Sequence, residues 1–157
     1  MGLGLSTVLR IVQYHNGSIE IDESKLLGGA LFKITLFKHP KTISIVGVNN
    51  MRKDFLALCL EECGHQVSFV ETDKLDDLHK NTSEIIFVDL RSNLEQRLKI
   101  IEMVSKDIPN ANLIAIGEAD QGTIDAAVRA GCEEYLMTPY SKETIQNRTE
   151  MVIDSLF

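Results

Sequence analysis

The spacing of hydrophobic residues changes period along the chain. From residue 41 onward, short apolar runs alternate with stretches whose apolar residues recur every three or four positions. Ile43-Ser44-Ile45-Val46 is a β-branched run, and Gln66–Val70, Glu84–Asp89, Asn112–Ile116 and Glu134–Met137 read as four further strands. Between them, Phe55, Leu56, Cys59, Leu60 and Cys63 share one helical face, closed by Gly64. A short polar helix is expected near Lys74–His79. Leu94, Leu98, Ile101 and Val104 mark the next helix, closed by Pro109. Thr123–Ala130 is a helix of small residues ended by Gly131, and Ser141 is placed to cap the last helix. The third strand is almost continuously apolar, as expected when helices cover both faces of a sheet. Five strand–helix units predict an α/β fold with an open, parallel, doubly wound sheet and right-handed crossovers. Sites in such sheets lie at the carboxyl ends of the strands. Gly47, Asp89, Gly117 and Thr138 fall there.

Residues 1–40 follow another pattern. Gly2-Leu3-Gly4-Leu5 leads into an apolar helix carrying Val8, Leu9 and Val12, and Asn16-Gly17 is a turn signal. Ile19 and Ile21 alternate with acidic residues, Gly28-Gly29 makes a second turn, and Leu31–Phe37 alternates again. A helix and a β-hairpin are predicted, a unit too small to hold a core alone.

Composition sharpens this division. The chain has 157 residues, 44% of them hydrophobic, enough for one domain with a real core plus a smaller piece. The net charge is −7. Residues 1–40 hold four basic groups (Arg10, Lys25, Lys33, Lys38) and three acidic ones, leaving 12 basic and 20 acidic groups, or −8, for the rest. That balance argues against nonspecific nucleic-acid binding. No apolar stretch reaches the roughly 18 residues of a spanning helix, so no membrane contact by this chain is expected. Cys59, Cys63 and Cys132 form no disulfide framework, which points to a reducing, cytoplasmic compartment. Neither these thiols nor His15, His39, His65 and His79 have the spacing of a metal site, and Asp76-Asp77 reads as a solvated face.

Two resemblances follow from the motifs. Residues 42–155 resemble the receiver domain of bacterial response regulators throughout and in order. Asp89 falls at the family's phosphoacceptor position. Ala130-Gly131-Cys132, then Tyr135-Leu136-Met137-Thr138-Pro139, resembles the family's small-Gly-small turn and its aromatic-x-x-Lys-Pro motif. The resemblance implies a strand order of 2-1-3-4-5 (numbered within this segment). Residues 2–37 resemble the end of the ATP-binding domain of sensor histidine kinases. Gly2-Leu3-Gly4-Leu5-Ser6 matches its last glycine box, Val8 to His15-Asn16-Gly17 the helix and turn after it, and Phe32, Ile34 and Leu36 its closing strand. A kinase tail at 1–40 followed by a receiver-like domain at 41–157 is the order of a hybrid histidine kinase, and the chain is expected to be the C-terminal part of one.

The resemblance also shows what has changed. Phosphoryl transfer to an aspartate relies on Mg²⁺ and fixed charges to position and neutralise the phosphoryl group. The family's acidic pair corresponds to Gly47 and Val48, with Asn49 beside them able to offer only a carbonyl. Its hydroxyl position is Gly117, next to Glu118, and its lysine is Thr138. Only Asp89 is kept. Tyr135 matches the aromatic whose rotamer reports phosphorylation in the family. Gly2 and Gly4 are the remnant of an ATP lid without the upstream motifs, so ATP binding is not expected.

These positions imply a pseudo-receiver in two-component signal transduction: a non-enzymatic module that docks on the kinase core of its parent protein, or on a second receiver or phosphotransfer domain. The docking face implied by the family includes residues near Ala126–Arg129, Tyr135 and Glu143–Gln146. No cofactor is expected, Mg²⁺ entering only if Asp89 is phosphorylatable. The alternatives are a phosphorelay receiver accepting phosphate at Asp89 and a small-ligand sensor, though residues 41–157 show no arginine cluster or Gly-rich phosphate loop in the sequence. Val8, Val12, Phe32 and Leu36 are expected to lack their native partners. Residues 1–40 should then pack on the second segment, pair with another chain, as in a homodimer, or be poorly ordered.

Overall fold

A computed structural model describes residues 3–14, 17–26, 28–36, 40–47 and 55–154. Gly2, His15, Asn16, Phe37, His39, Val48 and Asn49, all singled out above, lie outside the described residues. The chain divides into two compact units, 1–40 and 41–157. Among the described residues no helix is long and apolar enough to cross a membrane.

The first unit holds α1 (Leu3–Tyr14) and the antiparallel pair β1 (Ser18–Glu23) and β2 (Ala30–Thr35). Glycines at positive φ (Gly28 +66°, Gly29 +88°) turn the hairpin, where residues with a Cβ are disfavoured. Val12 is buried, and the Gly17 amide donates to its carbonyl oxygen at 2.8 Å. Phe32 and Leu36 are more than half exposed, and Val8 is 37% exposed.

The second unit contains β3 (Thr42–Val46), α2 (Phe55–Glu62), β4 (Gln66–Val70), α3 (Asp76–Lys80), β5 (Ile85–Asp89), α4 (Leu94–Asp107), β6 (Asn112–Gly117), α5 (Gln121–Ala130), β7 (Glu134–Met137) and α6 (Lys142–Asp154). The five strands form one parallel sheet in the order β4-β3-β5-β6-β7. This is the doubly wound α/β architecture expected from the alternating pattern, in the 2-1-3-4-5 order.

The middles of β5 and β6 are apolar on both faces because alternate side chains enter two cores. Ile85, Phe87, Ile114 and Ile116 pack with Leu56 and Leu60 of α2 and Ile145 and Val152 of α6. Ile86, Val88, Leu113 and Ala115 pack with Ile100, Ile101 and Val104 of α4 and Ala127 of α5. Two rows of side chains thus hold β5 from both sides. Its last residue is carried to the carboxyl edge of the sheet, where the apolar cover stops.

The helix ends follow local chemistry. The Asp120 carboxylate accepts from the Thr123 amide at 2.8 Å, starting α5, and the Ser141 hydroxyl accepts from the Thr144 amide at 3.1 Å, starting α6. Asn93 caps α4 from the left-handed region (φ 54°), which asparagine tolerates better than most residues.

Candidate functional site

Asp89 ends β5 and is only 6% exposed. Its carboxylate is fully engaged by Arg91, two residues on. The Arg91 backbone N–H and its Nε–H both donate to Oδ1 at 3.0 Å, and Nη2–H donates to Oδ2 at 2.7 Å. This is a fork of charge-assisted hydrogen bonds, among the stronger polar contacts a protein makes. The Arg91 side chain is 41% exposed, so it covers the carboxylate from the solvent side.

A second arginine lies at the same strand edge, against Gly47. Arg97 lies on α4 on the same stripe as Ile101 and Val104, and is 7% exposed. Its Nε–H donates to the Ser92 carbonyl at 3.3 Å, and Nη2–H is 3.5 Å from the Gly47 carbonyl. Nη1 is buried without a hydrogen-bond partner among the described residues. Burial lowers the guanidinium pKa from its ordinary value, and the Asp89 charge offsets part of that effect.

Gly47 explains how Arg97 fits. The residue follows β3 at φ +93°, and a Cβ built on it would lie 2.1 Å from Arg97 Nη1. The space of a side chain at position 47 is filled by a guanidinium. Position 117 repeats this arrangement. A Cβ on Gly117 would lie 2.1 Å from the Tyr135 hydroxyl, which turns inward and donates to the Glu118 carbonyl at 2.9 Å. Tyr135 is 8% exposed, and burial, followed by the charge of Asp120, raises its pKa. The Thr138 amide and hydroxyl donate to the Gly117 carbonyl at 2.8 and 3.2 Å.

The strand ends therefore bring Gly47, Asp89, Gly117, Tyr135 and Thr138 to one edge of the sheet, where Arg91, Glu118, Thr138, Pro139 and Tyr140 line an open cleft of about 670 Å³. Val48 and Gly2 lie outside the described residues. Gly4 sits in the first turn of α1, in the other unit, with open space around its Cα. Arg91 and Arg97 are the residues the sequence reading missed. Arg97 did leave a signal, as a charged residue in register with the buried stripe of α4. Arg91 lies two positions after the only acid retained from the resemblance.

Among the described residues, the groups at this edge as they stand do not suit a divalent cation. Mg²⁺ takes oxygen ligands in near-octahedral geometry. Here the Asp89 oxygens face N–H donors, and the space at Gly47 already holds positive charge. Among the described residues no three His, Cys, Asp or Glu side chains converge on a metal-sized site.

The face formed by α5, β7 and α6 carries a groove of about 270 Å³. Ile124, Val128, Tyr135 and Met137 line it, and Glu133, Glu134 and Arg148 rim it. Val128 is 56% and Met137 42% exposed, and Arg148 pairs with Glu134 at 2.9 Å. From α6 the groove takes Arg148. Ile145 is buried, and Gln146 turns to α2, where it donates to Cys63 Sγ at 3.0 Å.

Solved structures share this fold. A response regulator from Thermotoga maritima superposes with a TM-score of 0.66 at 20% identity, over 74% of this chain and 99% of that one. A CheY-like protein (tadZ) from Pseudomonas aeruginosa gives 0.64 at 19%, over 71% and 98%. NtrX from Brucella abortus gives 0.66 at 19%, over 74% of this chain and 27% of that one, so the match spans about a quarter of the NtrX chain. At these identities the likeness establishes a receiver-type, flavodoxin-like fold. No protein-family model matches the chain, and no curated protein sequence matches it.

Proposed function

We propose that residues 41–157 form a pseudo-receiver, a regulatory protein–protein interaction module of two-component signalling that works without phosphoryl transfer. One observation carries this reading: the Asp89 carboxylate is held by the Arg91 fork at 2.7 and 3.0 Å. An acceptor carboxylate attacks with an oxygen lone pair and needs a cation that neutralises the incoming phosphoryl group without blocking that oxygen. At Asp89 the cationic partner bonds the attacking oxygens themselves. The inward Tyr135 supports the same reading. Its hydroxyl fills the space beside Gly117, near where an incoming phosphoryl group would meet a family hydroxyl, so the edge of the sheet is packed by its own side chains.

In this proposal residues 1–40 are the end of a histidine kinase ATP-binding domain, and the chain belongs to a hybrid histidine kinase. The partner is the kinase core of the parent protein or a second receiver or phosphotransfer domain, and the compartment is the cytoplasm. The half-exposed Val128 and Met137, beside an ion pair, give the α5–β7–α6 face the apolar centre and polar rim of a docking surface.

The test is calorimetric titration of the chain with the kinase core of its parent protein, with and without Mg²⁺ and acetyl phosphate. Equal affinity in both conditions, weakened at least tenfold by Val128→Glu, is the expected result. An affinity that shifts with the phosphodonor and loses that shift in Asp89→Asn would establish a phosphorelay receiver instead.

A further inference from the structure

The fit of Arg97 against Gly47, with the Asp89 charge acting on its guanidinium, goes beyond the loss of a reaction. A buried arginine is costly unless something compensates its charge. Arg97 is 7% exposed and finds two carbonyl oxygens, those of Gly47 and Ser92, with Asp89 as the carboxylate that offsets its desolvation. Backbone carbonyl and carboxylate oxygens are also the ligand types that a hard cation takes. Arg91 adds the second guanidinium on the solvent side of the same carboxylate. Together the arginines bring two positive charges, the charge of one divalent ion, and arginine carries its charge at every physiological pH.

We infer that Arg97, seconded by Arg91, is the resident cation of this site: a guanidinium fixed in the fold takes the place of a divalent metal, and residue 47 is glycine because that guanidinium occupies its side-chain space. This rests on the pseudo-receiver reading and adds to it a positioning role for Arg97, which acts through Asp89. The edge of the sheet is thereby held in one state whatever the metal supply. The inference also predicts a gain of function: removing the guanidinium charge frees the oxygens to take a metal ion.

Mn²⁺ is the probe, read as selective paramagnetic broadening of backbone amides in the full chain. In the wild type, millimolar Mn²⁺ should leave the amides of residues 47, 89–91 and 117–118 no more broadened than the rest of the surface. Arg91→Ala/Arg97→Ala should bind Mn²⁺ at those amides at least about tenfold more tightly, with Mg²⁺ competing. Arg97→Gln is the milder variant should the double variant fail to fold, since it keeps a donor for the carbonyls and removes only the charge. It should show a smaller gain. Arg97→Lys, which keeps a cation, should show none. Selective broadening in the wild type overturns the inference, as does a folded Arg97→Gln with no gain or a gain in Arg97→Lys. These failures are distinct from failure of the parent reading, which would appear as phosphorylation of the wild type at Asp89.

Discussion

Replacing Asp89 by asparagine separates a carboxylate kept as a counter-charge from one kept as a reagent. Asparagine keeps the shape and one acceptor oxygen. It loses the charge, and its amide NH₂ then faces Arg91 Nη2, donor against donor, where the wild type has a 2.7 Å bond. A hydrogen bond between charged partners contributes roughly 1.5–3 kcal/mol. Arg91 is 41% exposed, so solvent screening reduces this to about 1 kcal/mol. Arg97, 7% exposed, loses its compensating anion, which costs roughly another 1 kcal/mol. A loss of about 2 kcal/mol lowers Tm by roughly 6–10 °C for a domain of this size. Urea and thermal unfolding followed by circular dichroism measure it directly. The sign is diagnostic. Where several carboxylates crowd a metal pocket, neutralising one relieves repulsion between like charges and stabilises the fold. An unchanged or raised Tm in Asp89→Asn would refute the assignment of Asp89 as the bonded partner of Arg91 and the counter-charge of Arg97.

Other outcomes follow from single contacts. Tyr135→Phe leaves the Glu118 carbonyl without its 2.9 Å donor and should lower stability by about 1 kcal/mol in urea titration. His65 accepts from the Lys41 amide through Nδ1, and its pKa is lowered from 6.5, chiefly by burial and then by the Lys41 charge. The unfolded chain then binds a proton near pH 6.5 that the folded chain refuses. Stability should fall as pH drops through 6.5 and level off below the folded pKa, with that slope reduced in His65→Asn when urea midpoints are compared at several pH values. Cys132 is buried and its thiol is pushed up to about 11, so at pH 8 it stays protonated and unreactive. With Cys59 and Cys63 also buried, Ellman titration should find no fast thiol in the native chain and all three after denaturation.

Most of the fold could be read from the sequence because β5 and β6 are apolar on both faces, a pattern that only a sheet covered by helices on each side explains. Gly64 and Gly131 marked helix ends correctly, at φ +85° and +120°. Where strand edges meet loops, the pattern gave positions without contacts. Asp89 was recognised because it ends an apolar run. Its partners were not, because the direction of the Arg91 side chain and the reach of Arg97 across to Gly47 depend on how α4 settles on β5. The predicted stripe of α4 was Leu94, Leu98, Ile101 and Val104; Ile101 and Val104 are buried and Leu98 packs half-buried against the core, whereas Leu94 is exposed and Arg97 and Ile100 join the buried face. An arginine in register with Ile101 and Val104 looks like a solvated residue until the glycine that accommodates it is placed beside it. On α6, Ile145 is buried and Gln146 turns to α2, while Arg148 reaches β7, distinctions that helical spacing alone did not give.

The most direct measurement is the intact mass of the chain after incubation with Mg²⁺ and acetyl phosphate, beside Asp89→Asn and a competent receiver as positive control. No phosphoryl group on the wild type, with the control modified, is the predicted result. A phosphoryl group that appears on the wild type and is absent from Asp89→Asn would show that Arg91 releases the carboxylate, and would contradict the pseudo-receiver reading outright.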